Sequence, residues 1–303
     1  VVNYRPVKTV VSFGETLWDL LPAGPVLGGA PCNFAYRVGS LGERALLVTR
    51  LGRDELGQRA FEELGKLGLD LSHVQWDEQK ATGTVPVKVD AKGVPDFTIL
   101  PDVAYDFIEP APALLEAAAG ADCVCFGTLV QRSPVSRRTL HQVLDAAPGA
   151  LKVLDLNLRR ACHTRETVES SLERADVLKL NDDEARWLGK EFGLRGKTEV
   201  ALAREVAGRW GLDAVVMTLG DRGCLAVAGS EEIEVAGQKV QVADTVGSGD
   251  AFSAGFVSLW LKGRPLRDCC EIGNALGALV ARTPGATAPV TPLEVELLSG
   301  RKL

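Results

Sequence analysis

Histidine is scarce in this chain. His73, His141 and His163 are all it has, and none stands near a paired cysteine. The usual zinc-ligand spacings are therefore absent. The seven cysteines form an odd set without a regular framework. Cys123 and Cys125 flank Val124 in a run that reads as a buried strand, and Cys269-Cys270 sit in an amphipathic helical stretch. We expect core thiols in a reducing compartment rather than disulfides or a metal centre. No apolar run approaches the ~18 residues that a membrane span needs. The opening "VVNYRPVKTVVSFGE" has neither a long apolar region nor a small-residue cleavage site, so a cytoplasmic protein without membrane contact is expected. Positive charge is not in excess: the formal net charge is -6 and the pI about 5.3. That excludes a global basic field for nucleic acid. There is no internal repeat, low-complexity linker or charge block. What remains is 303 residues, 46% hydrophobic and 24% charged, enough for one large core or one core with a small appendage.

The dominant rhythm is a short β-branched run, a turn, then an amphipathic helix. "KTVVSF" (8–13), "RALLVTRLG" (44–52), "DCVCFGTL" (122–129), "LKVLDLN" (151–157), "DVLKL" (176–180) and "LDAVVMTLG" (212–220) read as strands. Helices follow at 54–68, 133–147 (Ser133 as cap, Pro134 in the first position), 164–175 and from Asn181 onward. Two more helices come in succession, beginning at "SGDAF" and at "LRDCC". Such alternation implies an α/β fold, a mostly parallel sheet with helices on both faces, whose sites open at the carboxyl ends of the strands. Two stretches break the rhythm. Residues 14–33 are rich in glycine and proline, and residues 82–100 read as a hairpin with a turn at "DAKG". Together they suggest a small antiparallel β flap (14–33 and 82–100) on a core of 1–13, 34–81 and 101–303. Flaps of this kind close over ligands and exclude water. An open hairpin edge also invites a homodimer through the flap.

Four stretches carry chemistry. In "ADTVGSGDAF" the bare backbone of Gly247, Ser248 and Gly249 leads into a helix with Asp250 in its first turn. Free N–H groups and the helix dipole suit an anion such as a travelling phosphoryl group, and the aspartate suits a base for the attacking hydroxyl. A plain turn with an ordinary first-turn acid is equally open from these residues alone. In "LKLNDDEARWLG", Asn181 and Glu184 serve as helix caps or help to hold Mg2+ or its waters beside phosphates. In "VVMTLGDRGCLAV", a hairpin through Gly220 and Gly223 leaves Thr218 and exposed backbone for a nucleotide, or needs no function at all. In the first irregular stretch, Asp19, Gly29 and Asn33 offer a carboxylate, bare backbone and an amide, which suit the hydroxyls of a polyol. The segment "EFGLRGKT" ends like a P-loop, but Glu191 stands where the first glycine is required and no clear strand precedes it. We read 189–198 as a surface loop.

Taken together, "GGAPCNFAYRVGSLG", "LNDDE", "TLGDRG", "DLNLR" and "DTVGSGDAFSAGF" resemble the ribokinase (PfkB-type) family of small-molecule kinases over nearly the whole chain. The resemblance implies a ribokinase-like fold. It makes Asp250 the catalytic base, with the backbone of Gly247, Ser248 and Gly249 as an anion hole. It places ATP along Thr218, Gly220, Gly223, Gly247, Gly249 and Asn274, and Mg2+ near Asn181 and Glu184. Asp19, Gly29, Asn33 and Phe97 face the sugar, and Arg159 faces the sugar or the transferred phosphoryl. A K+ site near Asp244 and "TPGA" is implied as well. Val246-Gly247-Ser248 departs from the commoner Thr-Gly-Ala, and "DLNLRRACHT" lacks the proline and tryptophan usual in bacterial fructokinases. "GGAPCN" and "GETLWDLLP" lean to the fructokinase branch. The expectation is an ATP-dependent sugar kinase acting on a ketohexose, D-fructose first. The alternatives are another acceptor, such as 2-keto-3-deoxygluconate, ribose or a nucleoside, or a non-catalytic sugar sensor. A Rossmann-type oxidoreductase would want a Gly-rich fingerprint after the first strand, where "FGETLWD" stands instead.

Overall fold

Strands with apolar residues at successive positions leave no face for water, so they need cover on both sides. The computed structural model, which describes residues 6–22, 24–89 and 95–303 and the side chains outside 87–97, supplies that cover. A nine-stranded sheet contains β1 (Thr9–Phe13), β4 (Arg44–Gly52), β5 (Val74–Asp77), β8 (Cys123–Phe126), β9 (Leu151–Asp155), β10 (Val177–Asn181), β11 (Ala214–Thr218), β12 (Gly223–Ala228) and β13 (Glu231–Ala236). Their order is β13-β12-β11-β10-β9-β8-β1-β4-β5. All neighbours from β11 to β5 are parallel, and β12 and β13 add antiparallel to one edge. The carboxyl ends of the parallel strands therefore share one rim.

Among the described residues, ten helices pack around the sheet. On one face lie α1 (Ala30–Ser40), α2 (Glu55–Lys66), α8 (Ser248–Trp260), α9 (Leu266–Val280) and α10 (Pro292–Ser299). On the other lie α3 (Pro112–Ala119), α4 (Pro134–Ala146), α5 (Arg165–Leu172), α6 (Asp182–Phe192) and α7 (Glu199–Trp210). Strand alternation divides the core between the faces: Val10, Cys125 and Val216 pack with the first set, Val11, Val124 and Val215 with the second. All seven cysteines are buried and unpaired, as the sequence led us to expect. Helix α8 is buried at every position from Ala251 to Leu259. A helix apolar on all sides is held from all sides, so its first turn stands on a rigid base.

The flap is a four-stranded sheet in the order β3-β2-β6-β7, built from β2 (Leu17–Leu21), β3 (Gly24–Gly28), β6 (Gly83–Val89) and β7 (Pro95–Phe97). The pairs β2–β3 and β6–β7 are antiparallel hairpins, joined side by side through a parallel β2–β6 contact. Trp18 anchors the flap: it is fully buried against Leu51 and Ala60, and its indole N–H donates to the Leu56 carbonyl at 3.0 Å. The turn expected at "DAKG" lies outside the described residues.

Two boundaries differ from expectation. Residues 30–33, assigned to the flap, form the first turn of α1, because Pro31 at the helix start favours helix over flap. Residues 189–192, assigned to a surface loop, are the last turn of α6, which Gly193 ends in a left-handed conformation. Strands β5 and β13 and helices α3, α7 and α10 were not anticipated. β13 alternates charged and apolar residues as an edge strand, a short signal next to the longer runs around it.

Candidate active site

At the rim, β1, β8, β9 and the first turns of α1 and α8 line a small cavity. Ser12, Glu15, Thr128, Asp155, Asn157 and Asp250 bring its polar atoms. Asp250 is the third residue of α8, and its neighbours are fixed by long-range contacts. The Asn33 amide donates to Asp250 Oδ2 at 2.8 Å across 217 positions of sequence. Burial lifts the Asp250 carboxyl to about 6. The Asp155 carboxylate adds to that rise, while the Asn33 hydrogen bond and the charges of Lys179 and Arg159 oppose it. A carboxylate so placed is a stronger base than a solvated one, yet it is still ionised at neutral pH.

The turn before it is tightly constrained. Gly247 has φ 77°, and a Cβ there would lie 2.3 Å from Ala286 Cβ. Of the three expected donors, Ser248 N–H is already given to the Thr245 carbonyl at 3.2 Å. Among the described residues, the N–H groups of Gly247, Gly249 and Asp250 have no acceptor. These are the free donors of a helix start, and they suit an anion.

Sequence reasoning missed the cation beside them. Lys179 Nζ lies 3.0 Å from where a Cβ on Gly249 would sit. Glycine at 249 thus leaves room for an ammonium against the turn. Lys179 faces Asp155 in the register of β9 and β10, and its Nζ donates to Asp155 Oδ1 at 3.1 Å. The second oxygen, Oδ2, accepts from Ser253 Oγ on α8 at 2.8 Å. Burial opposes the lysine's charge, but Asp155, Glu184 and Asp250 together outweigh it and hold its pKa above the ordinary value. Glu15, at the end of β1, was also missed. Burial pushes its carboxyl up to about 7; hydrogen bonds from its own and Ala30's backbone and the charge of Arg159 oppose the rise, and Asp250 adds to it. The available signals were a lysine inside the apolar run "VLKL" and an acid directly after a strand.

Several other expected residues are brought to the rim with altered duties. Asn33, expected on the sugar, holds Asp250 with its NH2 group and keeps its carbonyl for another partner. Gly29 has φ 118°, and a Cβ there would meet the Glu15 carbonyl oxygen at 2.4 Å, so close packing by itself requires glycine. Asp19 on β2 has a carboxyl raised by burial and opposed by Arg159. Arg159 is exposed, and its charge acts on Glu15, Asp19 and Asp250 at once. It stands between two non-glycine residues in left-handed conformations, Asn157 (φ 41°) and Ala161 (φ 59°). Such strain persists where the surroundings impose it, often at functional loops. The backbone of Phe97 pairs with Val87, while its side chain lies outside the described residues.

On the nucleotide side, Thr218 ends β11 next to Asn181 and donates to the Leu180 carbonyl at 3.3 Å. Gly220 opens to space at the β11–β12 turn, and Gly223 starts β12 against Ala236. The Asn274 amide donates to the Ala236 carbonyl at 2.8 Å, tying α9 to β13. Asn181 and Glu184 form the capping box. Glu184 Oε2 accepts from Asn181 N–H and Oε1 from Leu158 N–H, both at 2.8 Å. Each oxygen keeps a lone pair, which fits a hydrogen bond to a metal's water. No cluster of three or more metal-ligating side chains occurs among the described residues. Asp244 accepts from the N–H groups of Val246 and Gly285 at 3.0 and 3.1 Å, joining the turn before α8 to the loop after α9.

Known proteins share this plan. A Pyrococcus horikoshii protein provisionally named a sugar kinase is 30% identical over 95% of this chain and 94% of its own. Fructokinase-1 of rice, Oryza sativa, is 30% identical over 96% and 97%. The 2-dehydro-3-deoxygalactonokinase of Haloferax volcanii is 29% identical over 95% of each. The ATP-bound fructokinase of Xylella fastidiosa, at 22% identity, has the same fold, with a TM-score of 0.84 over 97% of this chain and 98% of its own. Residues 24–293 match the pfkB family of carbohydrate kinases, and the chain belongs to that family as a sugar phosphotransferase.

Proposed function

We propose that the protein transfers the γ-phosphoryl of ATP to a hydroxyl of a ketohexose, with D-fructose as the acceptor. Asp250 carries the reading: a base raised to about 6 stands in the same turn as free N–H donors and beside the Lys179 ammonium. The acceptor lies in the cavity under the flap, near Asp19 and Glu15. Asp250 takes the hydroxyl proton as the acceptor oxygen bonds to the γ-phosphorus. The bond from that phosphorus to the β,γ-bridging oxygen breaks, and ADP leaves with the bond's electrons. The free N–H groups of the turn, Lys179 and Arg159 meet the charge on the transferred group. ATP runs along Thr218, Gly220, Gly223 and Asn274. Glu184 and Asn181 would hold the waters of a phosphate-bound Mg2+, whose chemistry is to neutralise the phosphates. Asp244 and the loop after α9 are where K+ would bind. A homodimer through the exposed flap edges is a further reading, which sizing chromatography tests.

One observation favours a second acceptor class. The Arg159 guanidinium is exposed at the mouth, where it suits a substrate carboxylate such as that of a 2-keto-3-deoxy sugar acid. Against it stand the carboxyl groups of Glu15, Asp19 and Asp250, which disfavour an anion inside the cavity. An acceptor panel with ATP, Mg2+ and ADP detection, with and without K+, separates them. Turnover is expected with fructose. Turnover with a keto-deoxy acid and none with fructose would overturn the assignment.

A further inference from the structure

Arg37 is one of the largest fully buried side chains, with none of its surface exposed. Its hydrogen bonds go to backbone alone: Nη2 donates to the carbonyl oxygens of Ala286 at 2.5 Å and Ala288 at 2.8 Å. Nε and Nη1 have no hydrogen-bond partner among the described residues, and the guanidinium carbon lies 4.9 Å from the centroid of the Tyr36 ring. A buried cation without a carboxylate is costly, and an apolar side chain would fill the same space without that cost. Arg37 therefore calls for a reason beyond packing.

Its position supplies one. Arg37 and Asn33 are four residues apart on α1 and so share a face. Asn33 holds the Asp250 carboxylate. Arg37 holds the segment 286–288, and the Ala286 methyl is the group that would be 2.3 Å from a Cβ on Gly247. Asp244 ties the same loop from the other side through Gly285 N–H. One face of α1 thus grips both the base and the backing of the amide turn.

We propose that Arg37 is a positioning residue for phosphoryl transfer: its guanidinium clamps the carbonyls of Ala286 and Ala288, presses Ala286 onto Gly247, and so aims the free amides of the α8 start. This rests on the reading that those amides receive the phosphoryl group. The guanidinium also supplies, from within the chain, the positive charge that two converging carbonyls favour. An open groove lined by Asn33, Cys32, Leu64 and Thr287 leads toward this region from the flap side.

The test is steady-state kinetics on Arg37→Met, Arg37→Ala and Ala286→Gly with the full chain. A misaimed amide turn should lower kcat about 10–100-fold, with the sugar KM within about threefold, since uniform binding is untouched. Guanidinium ion at low millimolar concentration should restore part of the kcat of Arg37→Ala. The double variant Arg37→Met/Ala286→Gly should lose no more than the worse single one, because both act through one contact. A folded Arg37→Met with wild-type kcat, or additive losses in the double variant, would overturn the proposal. If neither arginine variant folds, Ala286→Gly decides alone, and an unchanged kcat there refutes it. A wild-type protein that turns over no acceptor would instead count against the phosphoryl-transfer reading itself.

Discussion

Replacing Asp250 by asparagine should make the protein more stable and nearly inactive, and both effects have the same origin. The carboxyl is lifted from 3.8 to about 6 chiefly by burial. At ~1.4 kcal/mol per pKa unit, keeping it ionised in the folded state costs up to about 3 kcal/mol. The sign follows from proton counts. Between the two pKa values the folded chain holds this proton more tightly than the unfolded chain, so stability falls as pH rises through that window. The cost is complete above the folded value and absent below the unfolded one. A carboxamide at position 250 carries no such charge and can still accept from Asn33. Urea unfolding at pH 8 should therefore show the variant more stable by about 2–3 kcal/mol, with the gap shrinking below about 1 kcal/mol by pH 4. In the same preparation kcat should fall by about 10²–10⁴-fold, the worth of a positioned general base. Wild-type kcat/KM should decline as pH drops through about 6, where Asp250 takes up its proton. A variant less stable than wild type at pH 8, or a gap that ignores pH, would refute the desolvated carboxylate. Undiminished turnover would remove Asp250 from the proton transfer.

Two further perturbations address the phosphate side. Lys179→Met should lower kcat by about 10²–10³-fold and also cost several kcal/mol of stability, because Asp155 is left buried and unpaired. Adding Asp155→Asn should recover the stability and not the turnover; recovery of both would assign Lys179 a structural role only. Gly247→Ala forces a side chain into a left-handed turn, at a cost of ~1–2 kcal/mol, and drives its Cβ against Ala286. Sugar binding measured by calorimetry should persist while turnover is lost, and an unchanged kcat would mean that the turn does not hold the phosphoryl group.

What the sequence made legible was chemistry that needs only near neighbours. The Gly-Ser-Gly-Asp turn before a helix, the Asn181–Glu184 capping pair and the Ser133 cap depend on residues within a few positions, and each has its place in the structure. The parallel sheet was legible because its strands are apolar on both faces. Lys179 was not, since its meaning comes from Asp155 on the adjacent strand and from a glycine 70 positions later. Glu15 has its carboxyl pushed up by burial, which the residues next to it in sequence do not reveal. Asn33 was expected on the sugar, and its hydrogen bond to Asp250, 217 residues away, could not be read from its neighbours. An arginine one helical turn after Asn33, on the face otherwise apolar, was the readable hint of the clamp at Arg37.

The distribution of charge around the rim links these residues. Glu15, Asp19 and Asp250 form the acidic side of the rim, and the charge of the exposed Arg159 acts on all three. The buried ammonium of Lys179 and the free amides lie together at the start of α8. On the proposed function, a neutral polyol would enter the acidic side without repulsion, and a phosphate would be favoured at the amide and ammonium side. With Asp250 at the boundary, the proposed reaction would have the acceptor hydroxyl lose its proton where a carboxylate is destabilised and meet phosphorus where negative charge is favoured. Adding a negative charge to the acceptor should therefore weaken binding more than it would in water, because the wall it meets is already acidic and poorly solvated.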